Sequence, residues 1–199
     1  MPLSEKEAVR TRLGRARVGI IGLGGLGSNV AWMLVRAGIG ALVLADPDAV
    51  EASNLDRQFY FRDQVGLAKT DALAANLLRI RPDVRLDLHR VHVTEHNVAA
   101  IFEDCDAVVE AVDTADAKAA VIAACCDALP DTPLVAASGI AGAGPADRIV
   151  TQRLGDAVWL CGDAETPADG HALVAPRVAL VAAHQALAVV RILLGKPEP

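Results

Sequence analysis

Five apolar runs divide the first two thirds of the chain, at residues 18–21, 41–45, 84–93, 107–112 and 133–138. The run at 84–93 alternates through Leu86 and Leu88 before closing apolar. The other four are apolar at nearly every position, the pattern of parallel strands buried on both faces. Between the runs the sequence predicts helices at 25–37, ended by Gly38 and Gly40; at 65–80, stopped ahead of Pro82; from a Thr94 cap to residue 104; and at 114–129. Strand alternating with helix predicts an α/β fold: a Rossmann-like, doubly wound, mainly parallel sheet with helices on both faces. Past residue 145 the pattern changes. Residues 147–154 and 158–161 are short and partly alternating, which predicts antiparallel strands extending the sheet. Residues 162–170 read as an acidic, mobile loop, and Pro176 opens a C-terminal helix (175–194) that is apolar on most of its surface. Residues 1–14 form a helical arm capped by Ser4, and 1–199 is expected to be a single domain.

The first strand runs into Gly22-Leu-Gly24-Gly25-Leu-Gly27. In a G-x-G-x-x-G turn the first glycine permits the bend, the second lets a phosphate approach the backbone, and the third lets helix and strand pack closely. The second strand ends in Asp46, 46 − 22 = 24 residues after the first glycine, about where a ribose hydroxyl is bound in such units. The fourth ends in Asp113, so two acids stand at the carboxyl ends of strands, where open α/β sheets bind ligands. The polar stretch 47–61 has neither helical nor strand period, and loops of that length in a compact domain tend to be functional.

Composition narrows the picture further. With 53% hydrophobic but only 3% aromatic residues, the core must be built from Ala, Val, Leu and Ile. A net charge of −6 offers no basic face for nucleic acid. The N-terminal residues carry no apolar signal core and no run reads as long enough to cross a membrane, so a cytoplasmic location is expected. The four cysteines, Cys105, Cys125, Cys126 and Cys161, form no C-x-x-C pair and read as buried reduced thiols. His89, His92 and His96 lie at no metal-pair spacing, and His184 on the apolar C-terminal helix reads as a hydrogen-bonded core or interface residue.

The ordered set Gly22-Leu-Gly-Gly-Leu-Gly27, Asp46-Pro-Asp48, Ser53-Asn-Leu-Asp-Arg-Gln-Phe59, Lys69 and Asp113 resembles the ubiquitin-activating-type adenylating enzymes, the ThiF/MoeB/HesA group. Ala136-Ala-Ser-Gly-Ile-Ala-Gly142 and Ala175-Pro-Arg-Val178 make the compact ThiF type, associated with thiamine biosynthesis, the most similar. The resemblance implies transfer of AMP from ATP to the C-terminal carboxylate of a small ubiquitin-like sulfur carrier ending in Gly-Gly (ThiS-like), with release of pyrophosphate. It implies Arg57, Lys69 and Asp113 as catalytic residues. It further implies a nucleotide site of Gly22, Gly24, Gly25, Gly27, Asp46 (ribose), Asn54, Arg57, Gln58, Lys69, Val93 (adenine) and Asp113, with Asp113 also holding Mg²⁺. A carboxylate attacking a phosphate is one anion approaching another, so fixed cations and a metal are what the chemistry requires. The resemblance also implies a homodimer in which an arginine, Arg10 or Arg12, reaches the partner's site, and the apolar C-terminal helix points the same way.

The chain also departs from the family pattern. It lacks the paired C-x-x-C of zinc-bearing relatives, so no structural zinc is expected. Asp56 stands where Asn is common, and Cys161 is the one thiol near the segment that carries a nucleophile in thioester-forming relatives. An NAD-dependent oxidoreductase would share the glycine turn and Asp46 but leave Arg57, Lys69 and Asp113 unexplained. An inactive scaffold that only binds the carrier is the remaining alternative.

Overall fold

The computed structural model describes residues 4–166 and 171–198, so the expected loop at 162–170 lies partly outside the described residues. The arm is helix α1 (Glu5–Arg15), and Ser4 caps it in a reciprocal capping box with Glu7. Strand β1 (Arg17–Ile21) leads through the glycine turn into α2 (Gly25–Ala37), which ends at Gly38 in the left-handed conformation, φ 103°. Then follow β2 (Ala41–Ala45), α3 (Lys69–Ile80), β3 (Arg85–His89), α4 (Val98–Phe102), β4 (Ala107–Glu110), α5 (Ala115–Ala128), β5 (Leu134–Ala137), β6 (Val150–Leu154), β7 (Val158–Gly162) and α6 (Ala175–Leu193).

The seven strands form one sheet in the order β3-β2-β1-β4-β5-β7-β6. Strand order reverses between β1 and β4, the doubly wound switch point. Ile21 pairs with Ala45 on one side and Glu110 on the other, so β1, β2 and β4 end level and the residues after them share one rim. One core cluster packs α1, α2, α3 and α6 on one face of the sheet, through Leu13, Val30, Leu34, Leu73, Val181 and Val189. The other face is covered by α4 and α5, through Phe102 and Val121.

Several expectations need correcting. Only β6 is antiparallel: β7 runs parallel to β5, because the chain leaves β5 for the outer edge and the short turn 155–157 brings it back inside. The third strand stops at His89, and residues 90–93 leave the sheet. The helix expected from Thr94 shrinks to α4, because the Asn97 side chain accepts the Thr94 N–H (2.8 Å) and donates to the His92 carbonyl (2.9 Å), folding 94–97 as a turn. The helix expected from residue 65 begins at Lys69, after a 3₁₀ turn at Arg62–Gln64. Finally, α6 is long and apolar enough, by length and composition alone, to cross a membrane, contrary to the reading above. Its apolar side faces α2 and the sheet, with Val178, Val181, Ala182 and Val189 fully buried, so its composition is explained within the chain and does not itself require a second copy.

Gly27 shows how tightly the first βα unit is closed. A methyl group there would lie 1.9 Å from the Gly22 carbonyl oxygen. Gly27→Ala is expected to lower stability by about 1–3 kcal/mol, the usual cost of forcing a group into a filled site. An unchanged urea midpoint would refute this packing role.

Candidate functional site

A cleft of about 480 Å³ opens at the switch point, beyond the carboxyl ends of β1, β2 and β4. Gly22, Gly24 and Gly25 form its floor. Asp46, Pro47, Asp48, Lys69 and Val91 to Val93 form one side, and Ala111 to Thr114, Ala117 and Val121 the other. Arg57 and Gln58 stand at the glycine turn, and Ile140, Leu173 and Val178 close the far wall. Gly24, at the N-cap of α2, makes no side-chain cap bond. The first N–H groups of a helix have no acceptor inside it, so this turn presents free donors and the positive helix end to an anion.

Asp46 is 4% exposed and holds the floor in place. One carboxylate oxygen accepts the Leu23 N–H at 2.6 Å and the other the Asp48 N–H at 2.8 Å. Lys69, 7% exposed, is the first residue of α3, where the helix dipole disfavours a cation. Two carboxylates hold it there: Nζ lies 2.7 Å from Asp48 and 3.7 Å from Asp46. Buried Tyr60 donates its hydroxyl to the Leu23 carbonyl at 2.8 Å, and burial raises its pKa further, keeping the phenol protonated.

The loop carrying Arg57 is tied to α2 by side chains. Ser28 donates to the Gly24 carbonyl (2.6 Å) and accepts the Phe59 N–H (3.0 Å), while Asn29 donates to the Arg57 carbonyl at 3.0 Å. The Arg57 guanidinium reaches back along its own loop, donating to the Ser53 carbonyl (3.1 Å) and to Asp56 (2.7 Å). The Gln58 amide nitrogen lies 3.8 Å from where a side chain on Gly24 would start, and its oxygen is buried without a hydrogen-bond partner among the described residues.

Across the cleft, Asp113 is exposed and makes no hydrogen bond or ion pair among the described residues. Thr114, not Asp113, caps α5, accepting the Ala117 N–H at 3.3 Å. The β4–α5 turn is fixed from below by Glu110, fully buried, which accepts the Val112 N–H at 2.8 Å and pairs with Lys118. Burial pushes the Glu110 carboxyl above its ordinary range, and Lys118 opposes that rise.

The structure thus brings Gly22, Gly24, Gly25, Asp46, Arg57, Gln58, Lys69, Val93 and Asp113 to one cleft. Asn54 does not line it: its carboxamide oxygen accepts the Glu51 N–H at 3.1 Å and closes a 3₁₀ turn. Gly27 faces the Gly22 carbonyl inside the unit rather than the cleft. Asp48 and His92 also line the cleft; the sequence signal for Asp48 is its place in Asp46-Pro-Asp48, and His92, read above only as lying at no metal-pair spacing, gave none. Arg10 and Arg12 lie on α1, at the amino end of β1 and away from their own chain's cleft.

Cys161 is not a candidate nucleophile. It is 0% exposed on β7, 3.6 Å from the Thr151 hydroxyl, and burial pushes its thiol up to about 11. Reactive cysteines need exposure and a lowered pKa. Cys105 and Cys125 are also buried, whereas Cys126 is exposed, unlike the expectation for it. His184 meets the Thr151 hydroxyl through Nδ1 at 3.0 Å.

These features define a doubly wound α/β protein with a glycine-floored cleft, carrying charged residues, at its topological switch point. Residues 3–199 match the sequence model of the ThiF family, and the chain belongs to that family. Ubiquitin-like modifier-activating enzyme 5 of Drosophila persimilis is 41% identical over 120 residues, 54% of this chain and 31% of that protein. The Caenorhabditis elegans enzyme of the same name is 37% identical over 134 residues, 62% of this chain and 31% of that protein. The chain therefore spans about a third of the length of these curated relatives. Among solved structures, E. coli tRNA N6-threonylcarbamoyladenosine dehydratase, TcdA, in complex with AMP superposes with a TM-score of 0.87 at 26% identity, covering 96% of this chain and 91% of that one. E. coli MccB with ATP shares the fold at a TM-score of 0.77 and 23% identity, over 98% of this chain and 61% of that one.

Proposed function

We propose that the cleft binds ATP and transfers AMP to the C-terminal carboxylate of a small ubiquitin-like sulfur carrier ending in Gly-Gly, releasing pyrophosphate. One observation carries this reading: Lys69 and Arg57 line the same cleft as the glycine turn, together with Asp113, a carboxylate that makes no hydrogen bond or ion pair among the described residues. In the reaction the carrier carboxylate oxygen bonds to the α-phosphorus, and the bond from that phosphorus to the pyrophosphate oxygen breaks. Negative charge grows on the leaving group, where preorganised cations are worth most. Arg57 can grip two phosphate oxygens through its fork, and Lys69 acts as a point charge. Asp46, already shaping the floor, has its carboxylate at the strand end where ribose is held in such folds. A lone carboxylate beside phosphates suits Mg²⁺, which takes few protein ligands, and Asp113 is the residue that would hold it.

The motifs quoted above support a ThiS-like carrier and thiamine biosynthesis as the pathway, and a cytoplasmic location is part of the same proposal. The homodimer is also part of the proposal, supported by exposed Val150, Leu154 and Leu187 along the β6 edge and α6. A monomeric mass by sedimentation at micromolar concentration would reject it. The central test is ATP–pyrophosphate exchange with and without a Gly-Gly-tailed carrier. Carrier-dependent exchange is expected; none, together with a shift in nicotinamide fluorescence on mixing, would favour a dehydrogenase instead.

Asp56 supplies a finer prediction. It is a solvated carboxylate beside the guanidinium that is to receive the triphosphate, so ATP must compete with it for Arg57. Exposed pairs are worth about 1 kcal/mol or less, so Asp56→Asn is expected to lower the KM for ATP by up to roughly fivefold, with kcat little changed. An unchanged or higher KM at low salt would remove Asp56 as a competitor.

A further inference from the structure

The wall opposite Lys69 is built from segments without regular structure. Ile140 follows β5 in the glycine-rich run 138–144, Leu173 precedes α6, and only Val178 sits on a helix. The two loops meet in one short bridge, in which the Gly142 N–H donates to the Ala172 carbonyl at 2.9 Å. Beneath that bridge lies Arg177, 6% exposed, in the first turn of α6. Its Nη1 donates to the Gly144 carbonyl at 3.1 Å, and its Nη2 lies 3.5 Å from the Gly139 carbonyl and pairs with Asp163. Asp163 in turn accepts the N–H groups of Glu165 (3.0 Å) and Thr166 (2.9 Å) and the Thr166 hydroxyl. The wall rests directly on this pair: Gly139 has φ 72°, and a side chain there would begin 1.8 Å from the Asp163 carboxylate.

Neither charge lines the cleft, and the catalytic scheme above uses neither. Burying an ion pair brings little net stability over apolar packing, but it holds one geometry, because any other arrangement strands a charge or a backbone carbonyl. We propose that Arg177 and Asp163 are a positioning pair that sets the cleft's apolar wall, and with it the placement of the incoming carboxylate against the nucleotide, without touching either. This rests on the adenylation reading, in which the small-residue wall 138–144 flanks the narrow tail of the carrier. The pair acts through Ile140 and Leu173 on the acyl substrate and leaves the phosphate floor at Gly22 to Gly25 alone.

The test compares Arg177→Gln, Arg177→Lys and Asp163→Asn with the parent chain. Three quantities are measured: ATP affinity by direct binding, KM and kcat for the carrier in exchange, and amide hydrogen exchange across 139–144. Arg177→Gln and Asp163→Asn are expected to speed hydrogen exchange in 139–144 and raise the carrier KM tenfold or more, with ATP affinity within about twofold of the parent. Arg177→Lys, which keeps the charge, is expected to recover part of the loss. Unchanged carrier KM, unchanged hydrogen exchange, or ATP affinity falling in step with carrier KM would each overturn the proposal. Failure of both Arg177→Gln and Asp163→Asn to fold would overturn it in favour of a purely structural role. If the parent chain itself shows no carrier-dependent exchange, the adenylation reading falls and this proposal with it. A fully active parent with unaltered variants sinks the positioning pair alone.

Discussion

Lys69→Met is expected to reduce carrier-dependent ATP–pyrophosphate exchange by roughly 100- to 1,000-fold, the usual cost of deleting one preorganised donor aimed at developing charge. The geometry makes the loss larger than that of an ordinary surface lysine. Nζ is held between Asp48 and Asp46, with the lysine side chain itself almost wholly buried. Methionine keeps the aliphatic stem and its packing but leaves two carboxylates facing the triphosphate with no cation between them. Both ATP affinity and turnover should fall. Lys69→Arg should recover little, because a planar fork does not fit where a compact ammonium sits between two acids. Exchange near the parent rate in Lys69→Met would exclude Lys69 from the reaction.

A loss of comparable size is expected for Asp113→Ala, from a different cause and with no cost to the fold. Asp113 is exposed, without a partner among the described residues, and the cap of α5 belongs to Thr114. Its removal should leave the melting temperature nearly unchanged while lowering exchange by roughly 100- to 1,000-fold. Asp113→Asn should retain a trace of activity and require more Mg²⁺, since a neutral oxygen is a poorer ligand for a hard cation. Normal turnover in either variant would take Asp113 out of the mechanism.

The elements that were legible in the sequence share one property: their signals are local. The apolar run at β2, the glycine turn and the Gly38 stop of α2 each depend on neighbours within a few residues, and each stands where its pattern put it. Elements set by distant partners read less well. The β3 edge strand is half exposed and its apolar signal continued to Val93, although Val91, His92 and Val93 turn away to line the cleft. Asn97 ended a helix signal that Thr94 had begun, through bonds that local propensity does not reveal. The two outer strands looked like a simple antiparallel extension because period alone does not say which neighbour a strand joins.

The candidate site divides in the same way. From sequence alone, the glycine turn, the acids after β2 and β4, and the order of Asn54, Arg57 and Lys69 were enough to name a family, because those residues carry the resemblance in type and spacing. Tertiary structure alone decided which of them face the cleft. Asn54 turns inward to close its own loop, and Gly27 packs against a carbonyl. Lys69, outwardly an ordinary helix residue, is buried between Asp46 and Asp48. The same holds for Arg177, which pairs with Asp163 and gathers carbonyls from Gly139 and Gly144, more than thirty residues before it. Period and motif record what a residue does to its neighbours along the chain. The partners that fix a charge in place come from segments brought near only when the sheet closes.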